Sequence, residues 1–212
     1  MAEKVIITIA RQIGTGGSYL AQRLAKRLNF KYFDREIMVH VSHKLGLDVD
    51  YVEARNEKKS SVMQNILRAF AFGAPGVTYL PPDVSLLDDK RMFELQSEVI
   101  KNIANKGNVV IVGRGAFYVL KNLTNVVSIF IHANREFRIK RITDIYRVGN
   151  VDEANKIIDR VDEERRLYIK NNTDLDWLDA NNYKFCFDSS FIGLHTIENI
   201  IYEFIKNKFN VD

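Results

Sequence analysis

Residues 7–25 read ITIARQIGTGGSYLAQRLA, and this stretch decides the fold. The apolar, β-branched run at residues 5–10 has the composition of a buried strand. It passes straight into Gly14-Thr15-Gly16-Gly17, three glycines in four residues. From Ser18 to Leu28 the apolar residues return at helical spacing, with Leu20, Leu24 and Leu28 on one face. Strand, glycine turn and helix in direct succession predict an anion site. Backbone N–H groups at such a turn point inward, and the helix N-terminus adds about half a positive charge. Glycine lets the backbone approach phosphate oxygens and accepts positive φ. The candidate phosphate-binding residues are therefore Gly14, Thr15, Gly16, Gly17 and Ser18, and the Ser18 hydroxyl stands where Mg²⁺ is held. A tight turn that binds nothing is the plainer alternative, but three glycines exceed what a turn needs.

The standard phosphate loop reads G-x-x-x-x-G-K-[ST]. Residues 11–18 read R-Q-I-G-T-G-G-S. Arg11 stands in the place of the first glycine and Gly17 in the place of the lysine. Since that lysine contacts the terminal phosphates, another cation must do its work, and Arg11 is the nearest candidate in sequence. A dinucleotide-binding loop is a rival. Gly14-Thr15-Gly16 could open G-x-G-x-x-G, with Asp34 as the ribose-binding acid. Against it, Tyr19 occupies the third glycine's place, where a bulky side chain opposes close helix–strand packing.

Outward from this stretch, strands alternate with helices. Residues 31–33, 108–112, 126–132 and 183–187 read as further strands. Residues 18–28, 34–45, 91–105, a segment from about 134, 151–171 and 192–208 read as helices. The alternation predicts an α/β fold with a parallel sheet and helices on both faces. With 212 residues and no repeats, residues 1–212 are expected to form one domain. Residues 48–89 are the least regular and hold all three prolines. They are expected to form an insertion: a mobile substrate-covering element, or an apolar flap against a second copy in a homo-oligomer.

Three further signals bear charge. In FKYFDRE (30–36), Asp34 and Arg35 fall where a strand ends and a helix begins, the edge of a parallel sheet where ligands bind; Asp34 as a simple N-cap is the alternative. In VVIVGRGAF (109–117), Arg114 is held between two glycines at a strand end, where its fork suits a phosphate or base edge; a structural ion pair is the alternative. In residues 134–172, Arg138 and Arg141 share a helix face, as do Asp162 and Arg165. Phosphoryl transfer needs cations that neutralise spreading charge. The plainer reading is a solvated helix laced with salt bridges.

One cysteine, Cys186, excludes a disulfide framework within the chain and reads as a buried structural thiol. No apolar run reaches the ~18 residues of a membrane span, and no signal peptide is read at the N-terminus. A cytoplasmic setting without membrane partners is expected. The net charge of +4 suits a small polyanionic ligand as well as DNA or RNA, so nucleic acid is not the expected partner. The histidines show no metal-ligand spacing.

Together, these signals resemble the cytidylate kinase family of nucleoside-monophosphate kinases over nearly the whole chain. Residues 10–18 (ARQIGTGGS) and 32–36 (YFDRE) are most similar to its divergent cytidylate-kinase-like branch, where the lysine is commonly missing. The resemblance implies a three-layer P-loop kinase fold with an NMP-binding insertion at 48–89 and an arginine lid at 138–172. It implies transfer of the ATP γ-phosphoryl group, with Mg²⁺, to a nucleoside monophosphate, CMP or dCMP first. Arg11, Gly14, Thr15, Gly16, Gly17, Ser18 and Ser189 would bind nucleotide. Asp34, Arg35 and Arg114 would bind the acceptor. Arg138, Arg141, Asp162 and Arg165 would serve the transfer step. His40, Gly115 and Ile158 depart from the family pattern at an arginine, an acid and a lid arginine. A nucleotide-binding pseudokinase or sensor, and a kinase of another small phosphorylated acceptor, are the alternative functions.

Overall fold

The computed structural model describes residues 4–34, 89–146 and 148–211. Arg35, His40, the expected helix at 34–45 beyond its first residue, and the expected insertion apart from Asp89 lie outside the described residues.

The strands are β1 (Ile6–Arg11), β2 (Lys31–Phe33), β3 (Val109–Val112), β4 (Val126–His132) and β5 (Phe185–Asp188). They form one parallel sheet in the order β2-β3-β1-β4-β5. β1 lies between β3 and β4, with Ile7 opposite Val110 and Val127. In dinucleotide-binding and flavodoxin-like sheets β1 pairs with β2. Here, among the described residues, β2 pairs with β3 and not with β1, so the dinucleotide-loop alternative fails on topology as well as at Tyr19.

The helices are α1 (Gly17–Leu28), α2 (Asp89–Lys106), α3 (Ala116–Val119), α4 (Arg135–Tyr146), α5 (Val151–Thr173), α6 (Ser189–Ile192) and α7 (Leu194–Phe209). Alternate residues of the strands feed opposite layers, as a parallel sheet covered on both sides requires. Ile7, Ile9, Val110 and Ile129 meet Leu20, Leu24 and Leu28 of α1 and Ile197, Ile201 and Ile205 of α7. Ile6, Val109 and Ile111 meet Met92, Val99, Ile100 and Ile103 of α2. Fully buried residues such as Leu24 each contribute about 1.5–3 kcal/mol relative to exposure. The result is the three-layer arrangement expected, with the C-terminal ends of β1, β3 and β4 on one edge.

α4 and α5 pack on each other through Ile142, Ala154, Ile157, Ile158 and Val161. The Asn150 side chain caps α5 by accepting from the Glu153 N–H at 2.8 Å. Arg135 ties the two helices together through Asp159 and Asn155, both at under 3 Å.

Two local expectations are corrected. The helix expected at 192–208 is broken by Gly193 at φ +82°, which separates α6 from α7. Cys186 is exposed, not buried. β5 is an edge strand, and its alternation turns Phe187 into the core and Cys186 outward. No described helix is long and apolar enough to cross a membrane.

Candidate active site

The glycine loop joins β1 to α1 at the C-terminal edge of the sheet. Gly14 and Gly16 take φ +81° and +82°, conformations that L side chains rarely adopt. Added bulk has no room either: a Cβ on Gly14 would stand 2.9 Å from the Arg138 carbonyl oxygen. Gly16 caps the N-terminus of the twelve-residue α1 without a side-chain cap. Past the Gly17 N–H, the N–H groups of the first turn have no side-chain cap from Gly16. Thr15 is buried; its hydroxyl donates to the Gln12 carbonyl at 2.9 Å and accepts from the Gly17 N–H at 3.3 Å.

Ile13 is the loop's anchor. Its side chain sits 6% exposed among Ile142, Ile157, Ile158 and Val161 of α4 and α5. Its N–H donates to Asp162 Oδ1 at 2.9 Å, and its carbonyl accepts from Arg138 Nε at 2.9 Å. Arg138 also donates to Asp162 Oδ2. Arg165 adds a donation to the Arg11 carbonyl at 2.8 Å. Ser189 ties the loop from behind: its hydroxyl donates to the Thr15 carbonyl at 2.9 Å.

Arg11, the last residue of β1, crosses the loop. Its Nε lies 3.3 Å from Ser18 Oγ, and one terminal nitrogen lies 3.5 Å from Asp34 Oδ1. Asp34 Oδ2 accepts from the Tyr32 hydroxyl at 3.1 Å. Burial, and then the Asp34 charge, push the Tyr32 phenol up, so it stays a proton donor to the carboxylate. After β3, Gly113, Arg114 and Gly115 take φ of +69°, +55° and +67° in succession. For Arg114 this is strained backbone, of a kind that gathers at functional sites. Arg11, Arg114 and Arg165 line one cavity at this edge, walled by Phe117, Tyr168, Ile169 and Trp177. The buried Thr8 hydroxyl, which has no hydrogen-bond partner among the described residues, lines the same cavity. On the other side of the loop, Arg141 stands against Gly16: a Cβ there would lie 3.1 Å from its terminal nitrogen. Its buried Nε is likewise unbonded among the described residues.

The structure thus brings Arg11, Arg114 and Arg165 around one cavity, with Ser18 and Asp34 in contact with Arg11 and Arg141 beside the loop. It puts two expected contact residues behind the loop instead. Ser189 is 1% exposed and braces Thr15, so its hydroxyl is not at the loop mouth where nucleotide would bind. Arg138 is 5% exposed, and its Nε and one terminal nitrogen donate to Ile13 and Asp162, so it braces the loop. Among the described residues no three His, Cys, Asp or Glu side chains group as a metal site. A phosphate-borne Mg²⁺ needs fewer protein ligands, since it keeps waters and takes phosphate oxygens. Ser18 Oγ fits that role, because its one described contact, to Arg11 at 3.3 Å, is long.

The sequence profile of the cytidylate kinase-like family matches residues 6–191. The chain belongs to the cytidylate kinase-like family. Membership places it among kinase-type phosphotransferases. No curated protein matches its sequence significantly. Among solved structures, an uncharacterized protein from Eubacterium ventriosum is similar at TM-score 0.69 and 22% identity, over 95% of this chain and 98% of that one. Shikimate kinase from Bacteroides thetaiotaomicron aligns at TM-score 0.54 and 14% identity, over 96% and 99%. Shikimate kinase from Acinetobacter baumannii, in complex with shikimate, aligns at 0.52 and 13%, over 98% and 96%. These likenesses show the P-loop kinase fold. In this member of the family the lysine-less loop is held by α4 and α5 through Ile13, a residue that sequence reasoning passed over. Its signal was an isoleucine inside an otherwise polar and glycine-rich turn. Phe191, 89% exposed just after Ser189 and Ser190, was also passed over; a large apolar residue following a strand end was its only mark.

Proposed function

We propose that the protein transfers the γ-phosphoryl group of ATP to a small phosphorylated acceptor, with CMP or dCMP the first candidates. The observation that carries this is Arg11, which lies against Gly17 and Ser18 of the glycine loop and also lines the cavity shared with Arg114 and Arg165. The α1 N-terminus and loop N–H groups would take the donor phosphates, with Arg141 beside them. Phe191, tethered to the loop through its neighbour Ser189, would offer its ring to the base. Ser18 would hold Mg²⁺, which supplies charge neutralisation between the phosphates. Asp34 and Arg114 would hold the acceptor, and Arg165 would stabilise charge on the group in flight. Arg138 and Asp162 act through the loop, by fixing Ile13. The protein's contribution is positioning and fixed positive charge.

A coupled assay of ADP release tests this, with ATP against CMP, dCMP, UMP, AMP and, as a non-nucleotide control, shikimate. Turnover highest with CMP or dCMP is expected. Turnover on none of them, with ATP bound, would instead support the second reading, a nucleotide-binding sensor. The glycine in the lysine's place and the engagement of Arg138 with Ile13 and Asp162 behind the loop favour that reading.

A further inference from the structure

Arg11 and Gly17 are locked together sterically. A Cβ on Gly17 would stand 2.7 Å from Arg11 Cβ, closer than real Cβ contacts come, and 3.0 Å from Arg11 Cγ. The Arg11 stem therefore lies over the first turn of α1, in the space from which a lysine at position 17 would rise. Its guanidinium continues from there. Nε faces Ser18 Oγ, one terminal nitrogen faces Asp34, and the other lies where a Cβ on Gly113 would come within 2.5 Å. The head is thus poised between the hydroxyl at the donor end and the acid at the acceptor end.

We infer that Arg11 and Gly17 are a transposed pair: the cation for the terminal phosphates of a nucleoside triphosphate has moved from position 17 to position 11, and the glycine has moved the other way. The standard loop has glycine first and lysine seventh; this loop has arginine first and glycine seventh. Each residue excludes the standard partner of the other. Lysine at 17 collides with the Arg11 stem, and loss of Arg11 alone removes the cation that lies over the first turn of α1, leaving Arg141 on the other side of the loop. Only the double exchange restores a standard loop. The arginine fork adds what a lysine lacks, a planar set of donors able to hold two oxygens of one phosphate. This inference rests on the nucleotide-binding reading above.

The test is calorimetric binding of ATP and AMP to the full chain, in the wild type and in Arg11→Met, Arg11→Gly, Gly17→Lys and the double variant Arg11→Gly/Gly17→Lys. Arg11→Met should weaken ATP by roughly tenfold or more, as loss of a charged hydrogen-bond partner does, and leave AMP nearly unchanged. Gly17→Lys alone should also weaken ATP. The double variant should bind ATP within about threefold of the wild type, far better than Arg11→Gly. ATP binding by Arg11→Met equal to the wild type overturns the inference, as does a double variant no better than Arg11→Gly. If Arg11→Met fails to fold in a thermal melt, the comparison of the double variant with Arg11→Gly decides alone. A wild type that binds ATP but phosphorylates no acceptor defeats the kinase reading and leaves this comparison intact. A wild type that turns over while Arg11→Met binds ATP normally defeats only the transposition. A wild type that does not bind ATP defeats both.

Discussion

Arg138 and Asp162 hold one loop residue between them. Arg138 Nε donates to the Ile13 carbonyl and Asp162 Oδ1 accepts from the Ile13 N–H, both at 2.9 Å, while the two side chains bond each other. Arg138 is buried at 5% exposure and Asp162 is half-buried beside it. Removing one member strands the other charge. Asp162→Ala should cost about 3–5 kcal/mol, read from urea midpoints. Arg138→Met combined with Asp162→Asn should cost clearly less than the sum of the single changes, since neither charge is then left alone. Strict additivity would show that the two act independently.

Ile13 carries the apolar half of the same anchor. Truncation to Ala leaves a cavity between α4 and α5 and should destabilise by about 2–5 kcal/mol, against about 0.5–1.5 for Ile13→Val. Because the loop's geometry hangs on this contact, Ile13→Ala should also weaken ATP binding under conditions where the variant is fully folded. Unchanged ATP affinity would mean that the loop keeps its shape without the anchor.

Arg114 separates stability from function. Its φ of +55° costs a non-glycine residue roughly 1–2 kcal/mol, and glycine escapes that cost at an entropic loss of about 0.5–1 kcal/mol. Arg114→Gly should therefore be as stable as Arg114→Ala, which loses the same side-chain contacts, or up to about 1.5 kcal/mol more so, a gain of up to roughly 5 °C in Tm. The same change should raise the acceptor KM roughly tenfold or more by removing a charged contact. Calorimetry and steady-state kinetics on one preparation give both answers.

The acid limb of stability should carry the mark of Asp188. The Ser190 hydroxyl, then the N–H groups of Ser190 and Phe191, and the nearby His132 hold its carboxyl below the usual carboxylate range. Its folded pKa is thus lower than its unfolded one, about 3.9. The stabilisation is complete above the unfolded value and is lost as pH falls through the folded value. Asp188→Ala should cost about 1 kcal/mol at pH 7, as loss of a helix cap does. The gap in urea midpoints between variant and wild type should narrow as pH drops below about 4.

Phe191 can be removed without harm to the fold. At 89% exposure its truncation to Ala should change stability by no more than about 0.5 kcal/mol. Stacking on a base is worth about 1–3 kcal/mol, so Phe191→Ala should weaken ATP about fivefold or more. Inorganic triphosphate, which has no base, should bind the variant and the wild type equally. Parallel losses for both ligands would place the ring's effect on the loop instead.

How much of the site could be read beforehand differs from residue to residue. The glycine loop, Asp34 and Arg114 were legible because strand ends and glycine clusters leave local marks. Arg11 was legible as a cation near the loop, but its steric lock with Gly17 needed coordinates. The place of Arg138 behind the loop was not legible: one charge pattern along a helix serves both a solvated face and a buried brace. Cys186 was misjudged because an apolar run on an edge strand does not say which face is covered.

By itself the sequence determined the order of the strands, the glycine turn after the first of them and the family, since these rest on local periodicity and on motifs of residues adjacent in the chain. Only the tertiary structure decided that β1 lies between β3 and β4, because strand neighbours are chosen by packing across the sheet. Only the tertiary structure, too, joined Ile13 to Asp162 across 149 positions of chain. Contacts of that span depend on how α4 and α5 dock, and no local spacing records it.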